Sequence, residues 1–162
     1  MEKILVSACL LGEKVRYHGG DAVCDHPSLR RWFDEGRLVA VCPERDGGLP
    51  TPRPPAELVA AGAGVVARLA VVRTSTGADV TDAFLRGAEI ALDAVKRHRI
   101  RIAVLKDGSP SCGSSFVYDG TFSGTRAAGL GVTAALLESH GVRVFDERSI
   151  DDAHAFLEQL ER

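Results

Sequence analysis

A chain of 162 residues, 45% apolar and 26% charged, has the size and composition of one soluble globular domain spanning 1–162, which excludes disordered, collagen-like and membrane-embedded classes. Twenty Lys and Arg against 22 Asp and Glu leave a formal charge of -2, so no global field draws it toward a nucleic acid polymer or an anionic membrane. Four cysteines are too few for a disulfide-dense secreted module, and no stretch reads as a leader or a spanning helix, so the chain is expected to be cytoplasmic with reduced thiols.

The first apolar run, from Lys3 to Cys9, is rich in branched residues and breaks at Gly12, as a buried strand does. A helix is expected from about Ser28 to Glu35, then a second strand from Arg37 to Cys42 that stops at Pro43. Residues 47–55 hold four of the seven prolines, which forbids helix and central strand, so this segment is a loop or linker. Stretches rich in Val and Thr, from Val65 to Val72 and from Thr74 to Val80, flank Gly77 and suggest a small hairpin or edge pairing. Thr81 or Asp79 can cap a helix carrying Val80, Phe84, Ala88, Ala91, Leu92 and Val95 at spacings of three and four. It ends in Lys96, Arg97, His98 and Arg99, cations that suit a helix C-terminus.

A third strand, Arg101 to Lys106, runs into a loop of small residues that holds Ser109, Ser111 and Cys112. Val132 to His140 reads as a helix and Val142 to Phe145 as a strand. Ser149 opens a capping-box start to a last helix that carries Phe156, Leu157 and Leu160 inward. Alternating strands and amphipathic helices predict an α/β domain whose mainly parallel, Rossmann-like sheet is flanked by helices.

Cys9, Cys42 and Cys112 each fall at or just beyond the C-terminal end of a predicted strand. In an open parallel sheet those ends share one edge, where ligands bind at a topological switch point, so three thiols far apart in sequence can meet. Convergent thiolates can serve zinc, an iron–sulfur cluster or thiol relay chemistry. Intervals of 33 and 70 residues lack the close pairs usual for structural zinc and for a disulfide relay. A cubane cluster tolerates scattered ligands, and three of them leave one iron open.

Ordered motifs then carry a resemblance. They are Val6 to Gly12, Val15-Arg16-Tyr17, Cys42-Pro43-Glu44, the run from Gly47 to Glu57, Asp79-Val80-Thr81, Gly87-Ala88-Glu89, Leu105-Lys106 with Ser109 to Gly113, and Tyr118 to Phe122. Together they resemble the DUF523 family, from about residue 3 to 147. That family includes thiouracil desulfidases, so the resemblance implies a [4Fe-4S] cluster with one open iron, held by Cys9, Cys42 and Cys112. It also implies an enzyme that removes sulfur from a small thiolated base, 2- or 4-thiouracil, without net redox change. An open iron would polarise the thiocarbonyl while water attacks the ring carbon.

Such a step needs an acid/base group, and Glu44, two residues beyond Cys42, is the candidate. Ser109 is assigned beside it, to orient the substrate, while Arg16, Ser111 and Lys106 are candidates for binding it. Arg16 and Arg53 both read as salt-bridge or loop-packing residues, the structural role being favoured over binding an anionic or carbonyl part of the substrate. Cys24 matches no ligand position of the family and reads as a spare thiol, although a cysteine near Cys9 could close the fourth iron. His18 stands where the family pattern often carries Asp. The rival functions are a non-catalytic iron–sulfur or sulfide-binding module and a metal-free cysteine sulfurtransferase.

Overall fold

The computed structural model describes every residue except 61 and 69. Four strands, β1 (Ile4–Ser7), β2 (Leu38–Val41), β5 (Ile102–Val104) and β8 (Arg143–Phe145), form a wholly parallel sheet in the order β2-β1-β5-β8. The chain leaves β1 toward β2 on one side and later crosses to β5 on the other. The β1/β5 gap is therefore the switch point at which open α/β sheets bind ligands.

The sheet is continuously apolar because both faces are covered. Side chains alternate across it: Ile4, Val6, Ile102 and Val104 face α1 (Pro27–Asp34) and α6 (Ile150–Leu160), meeting Leu29, Trp32, Ile150 and Leu157. Leu5, Ala103 and Leu105 face the opposite way, onto Ala91, Leu92 and Val95 of α4 (Thr81–His98) and Leu137 of α5 (Val132–Ser139). Ile4, Leu5 and Val6 are fully buried. At roughly 1.5–3 kcal/mol for each large apolar side chain removed from water, this two-sided burial is the main force that holds the strand ends in register.

Between Val41 and α4 lies α2, a four-residue helix over Pro43–Asp46. It touches α4 at Gly87, where an added Cβ would stand 1.9 Å from the Pro43 carbonyl oxygen, so only glycine lets the two backbones meet. This contact seats Cys42 and Glu44 at the sheet edge.

Two small antiparallel sheets complete the fold. One pairs β3 (Ala56–Leu58) with β4 (Val72–Thr74), the other β6 (Phe116–Tyr118) with β7 (Arg126–Ala128). The return expected around Gly77 is present, with Gly77 donating to the Thr74 carbonyl and Arg73 bridging to Asp79. The extended run expected from Val65 is not. Gly62–Val66 forms a short helix, α3, because Val65 is fully buried against Leu58, Val72 and Phe84, and that contact overrides its β-branched preference; residue 69 of that run lies outside the described residues.

The capping box expected at Ser149 is also absent. Its hydroxyl accepts from the Asp146 amide at 3.1 Å instead of from the first turn of α6. The first strand ends at Ser7, and Ala8–Leu11 winds into a 3₁₀ turn that carries Cys9. Among the described residues no helix is long and apolar enough to cross a membrane.

Candidate functional site

The carboxyl ends of β1, β2 and β5 open into one cavity of about 540 Å³, and Cys9, Cys42 and Cys112 all line it. Each thiol is seated by local structure. Cys9 sits in the 3₁₀ turn directly after β1. Cys42 is the residue before α2, its amide donating to Asp46 Oδ2 at 3.1 Å and its thiol 3.9 Å from the Val15 carbonyl. Cys112 lies in the loop after β5, where its amide and that of Ser111 both donate to Ser109 Oγ at 3.2 Å. That loop is fixed from behind by the start of α5, whose Val132 and Thr133 amides donate to the Pro110 and Ser111 carbonyls at 2.9 and 2.8 Å.

None of the four cysteines is in a disulfide. Burial pushes the Cys9 thiol up to about 11, the nearby charges of Arg16 and Lys106 opposing the shift and Cys42 adding to it. Burial likewise pushes Cys112 up to about 12, although the Ser7 and Ser111 hydroxyls act against it. Cys42 is raised for the same first reason. Cys9 thus senses the charge of Cys42, and Cys112 that of Cys9. Cys24 does not line the cavity; it rests against the core beneath β1, with its thiol raised by burial and by Glu147.

Glu44 stands on the cavity wall between two partners. Arg53 Nε donates to its Oε1 at 3.3 Å, and Ser111 Oγ lies 3.3 Å from its Oε2. The Arg53 side chain is 4% exposed and that of Glu44 14%. Arg53 also donates to the carbonyls of Val15 and Pro50 at 2.9 and 3.2 Å and to Thr51 Oγ1 at 3.1 Å, so it joins the proline-rich loop to the segment after β1. The ion pair expected of Arg53 is present, and it holds the proposed acid/base carboxylate in place.

The other candidates all line the same cavity. Ser109 Oγ is already an acceptor for two amides and lies 3.0 Å from Ser111 Oγ, which leaves its own proton for that hydroxyl or for a ligand. Ser111 Oγ is also 3.6 Å from Cys112 Sγ. Lys106 Nζ donates to the Asp107 carbonyl at 2.8 Å and lies 3.7 Å from Glu147 Oε1. Arg16 Nη1 reaches the Asp21 carbonyl at 3.5 Å. His18 stays outside, accepting from the Gly20 amide at 3.0 Å within its own loop.

Sequence reasoning gave no role to Ser7, Glu57, Phe116, Phe122 and Arg126, which line the cavity too. Phe116 and Arg126 come from β6 and β7, strands of three residues each, too short for their alternation to stand out. Asp107 has no role in the sequence reading either. Its Oδ1 accepts from the amides of Gly108, Ser114, Ser115 and Phe116 and its Oδ2 meets Arg148, so it fixes the start of the Cys112 loop.

The donor set is suited to an iron–sulfur cluster. Three thiols on separate segments face one cavity, and soft sulfur ligands favour such clusters over hard ions. Among the described residues no group of three His, Cys, Asp or Glu side chains is gathered closely enough to hold a single metal ion.

Residues 4–149 match the 2-thiouracil desulfurase family. The chain belongs to that family. It is 44% identical over 150 residues to the uncharacterised Bacillus subtilis protein YbbK, a match that covers 92% of this chain and 98% of the relative. Its fold superposes with a TM-score of 0.90 and 48% identity on the solved structure of TudS, a [4Fe-4S]-dependent thiouracil desulfidase, over 98% of this chain and 99% of the other. The α/β architecture expected from the sequence is thus shared with a member of known cofactor dependence.

Proposed function

We propose that this chain is a desulfidase that removes sulfur from a small thiolated base such as 2- or 4-thiouracil, with Cys9, Cys42 and Cys112 holding a [4Fe-4S] cluster whose fourth iron is open. The observation that carries this reading is the meeting of three free thiols at three adjacent strand ends in one cavity, with Glu44 on its wall. When bound, the cluster supplies a Lewis-acidic iron for the thiocarbonyl sulfur.

The protein supplies the rest. Glu44 takes the proton of the water that attacks the ring carbon, and its position is set by Arg53 and Ser111. Ser109 and Ser111 present hydroxyl groups to the ring's polar edge, and Ser109 also holds the turn on which Cys112 sits. Arg16 and Lys106 place positive charge near Cys9, favouring its thiolate form and any negative charge that develops on the substrate. The conversion of C=S to C=O is hydrolytic in this scheme, with no net electron transfer.

Protein purified without oxygen should contain iron and acid-labile sulfide, and should release uracil and sulfide from 2-thiouracil or 4-thiouracil. Colourless protein without iron under strict anaerobiosis sinks the cluster assignment. A cluster-bearing protein inert toward every thiolated base tried would instead be a module that binds or carries sulfur.

A further inference from the structure

Both tyrosines and two of the six phenylalanines line this one cavity, as Tyr17, Tyr118, Phe116 and Phe122. Phe116 and Tyr118 alternate on one side of β6, their rings 5.9 Å apart edge to face, while Val117 between them is buried on the other side. Arg126, paired with Tyr118 across β7, lies over the Phe116 ring at 4.2 Å. The hairpin thus presents an aromatic wall to the cavity whose other wall carries the thiols.

The tip of that hairpin is built to hold one ring. Phe122 is 39% exposed and adopts φ 56°, a left-handed conformation that strains any residue with a bulky side chain. Its amide and that of Gly120 donate to a single acceptor, Glu57 Oε1, at 3.2 and 3.0 Å. Asp119 Oδ1 takes the Thr121 amide at 3.0 Å and its hydroxyl at 2.6 Å, and Asp119 donates to the Thr125 carbonyl at 3.0 Å. Gly120 lies so close to β3 that a Cβ there would stand 2.6 Å from the Leu58 carbonyl oxygen. A loop bonded this densely, holding an exposed aromatic residue in a strained conformation at a cavity rim, fits a ligand clamp better than a free surface turn.

We propose that Phe122 is a stacking platform for a planar heterocyclic ring at the cavity mouth, and that Glu57 is the positioning residue that holds it there. The inference rests on the desulfidase reading for its ligand, and it names what that reading leaves open: the ring is recognised by its flat face on the hairpin wall as well as by its polar edge. Stacking tolerates different ring substituents, because every such base has a π face.

The test uses anaerobically prepared, cluster-loaded protein, with uracil as an unreactive ring probe in equilibrium titration and 2-thiouracil in steady-state kinetics. Phe122→Leu, which keeps the backbone strain and most of the volume, should weaken uracil about tenfold and raise KM for 2-thiouracil similarly, with kcat moved far less. Phe122→Tyr should restore tight binding. Glu57→Ala should resemble Phe122→Leu, whereas Glu57→Gln retains the acceptor oxygen and should bind uracil nearly as wild type does. All variants should keep the visible absorbance of the cluster. The platform is overturned if Phe122→Leu binds uracil as tightly as wild type, or if wild type does not bind uracil. Binding of uracil that depends on Phe122, without release of sulfide from 2-thiouracil, keeps the platform and removes the desulfidase reading. Turnover indifferent to Phe122 does the reverse.

Discussion

Ser111 Oγ lies 3.3 Å from Glu44 Oε2, a side-chain bond across 67 residues of chain. It ties the loop that carries Cys112 to the turn that carries Cys42, so carboxylate and thiols are parts of one bonded unit. Because Ser111 also lies 3.6 Å from Cys112 Sγ and 3.0 Å from Ser109 Oγ, its single proton has three possible acceptors within the site. Replacing Glu44 by Gln removes the charge but keeps an acceptor for that proton. Glu44→Gln should therefore still fold and load cluster, at some loss of stability because Arg53 loses its counter-charge, while losing at least about a hundredfold in turnover, the usual worth of a general base. Parallel assays of sulfide release and iron content check this, and full activity would remove Glu44 from the acid/base role.

The second prediction concerns the other partner of Glu44. Arg53 is buried with its charge paired and its remaining donors on three loop oxygens, so truncation leaves a carboxylate without its cation and carbonyls without donors. Arg53→Ala should cost about 3 kcal/mol in urea unfolding, as breaking a buried pair does. Arg53→Lys, which keeps the charge but not the planar fork, should fall between the two. A loss within about 1 kcal/mol for Arg53→Ala would show that the proline-rich loop is held by something else.

The cysteines divide by position, not by chemistry, because all four are free thiols. Only those at the strand ends line the cavity. Anaerobic Cys9→Ala, Cys42→Ala and Cys112→Ala proteins should each lack iron and acid-labile sulfide, whereas Cys24→Ala should keep both. Loss of iron in Cys24→Ala would mean that the fourth position is closed by protein.

How much of this was legible follows from where the information lies. Ile4–Ser7 and Leu38–Val41 declare themselves because a strand buried on both faces has to be apolar throughout, and the 3.6-residue period of α4 is long enough to count. Cys9, Cys42 and Cys112 could be placed together because parallel strands put their carboxyl ends on one edge. The aromatic wall could not be placed, since β6 and β7 have three residues each and pair only with one another. Nor could the use of Ser149, whose hydroxyl had a closer partner in Asp146 than in its own helix. Short-range patterns report burial over a whole element, while choices between competing hydrogen-bond partners are made by tertiary distance.

Gly87 offers a test of how Glu44 is aimed. An added methyl would collide with the Pro43 carbonyl at 1.9 Å, a backbone atom that can yield only if α2 shifts as a whole. Gly87→Ala gains helix propensity of nearly 1 kcal/mol in α4, so the net result decides between the two effects. Overpacking against backbone should win, with a net loss of about 1–3 kcal/mol and a drop in turnover as Glu44 moves with α2. A stabilised Gly87→Ala protein would show that the helices can separate without cost.

Asp107 gives the protein a defined acid sensitivity. Burial alone would raise its carboxyl, yet bonds from the amides of Ser115, Phe116, Gly108 and Ser114 outweigh that and hold the group below its ordinary 3.8. A depressed folded-state value means that the carboxylate contributes stability fully above 3.8, and that the contribution is lost as pH falls through the lower folded value. Asp107→Asn keeps a carbonyl oxygen for the amides but loses the charge that faces Arg148. Its deficit against wild type should be largest near neutral pH and should shrink below about pH 4. Urea midpoints for both proteins across that range measure it. A deficit independent of pH would mean that the loop depends on the shape of the side chain at 107 and not on its charge.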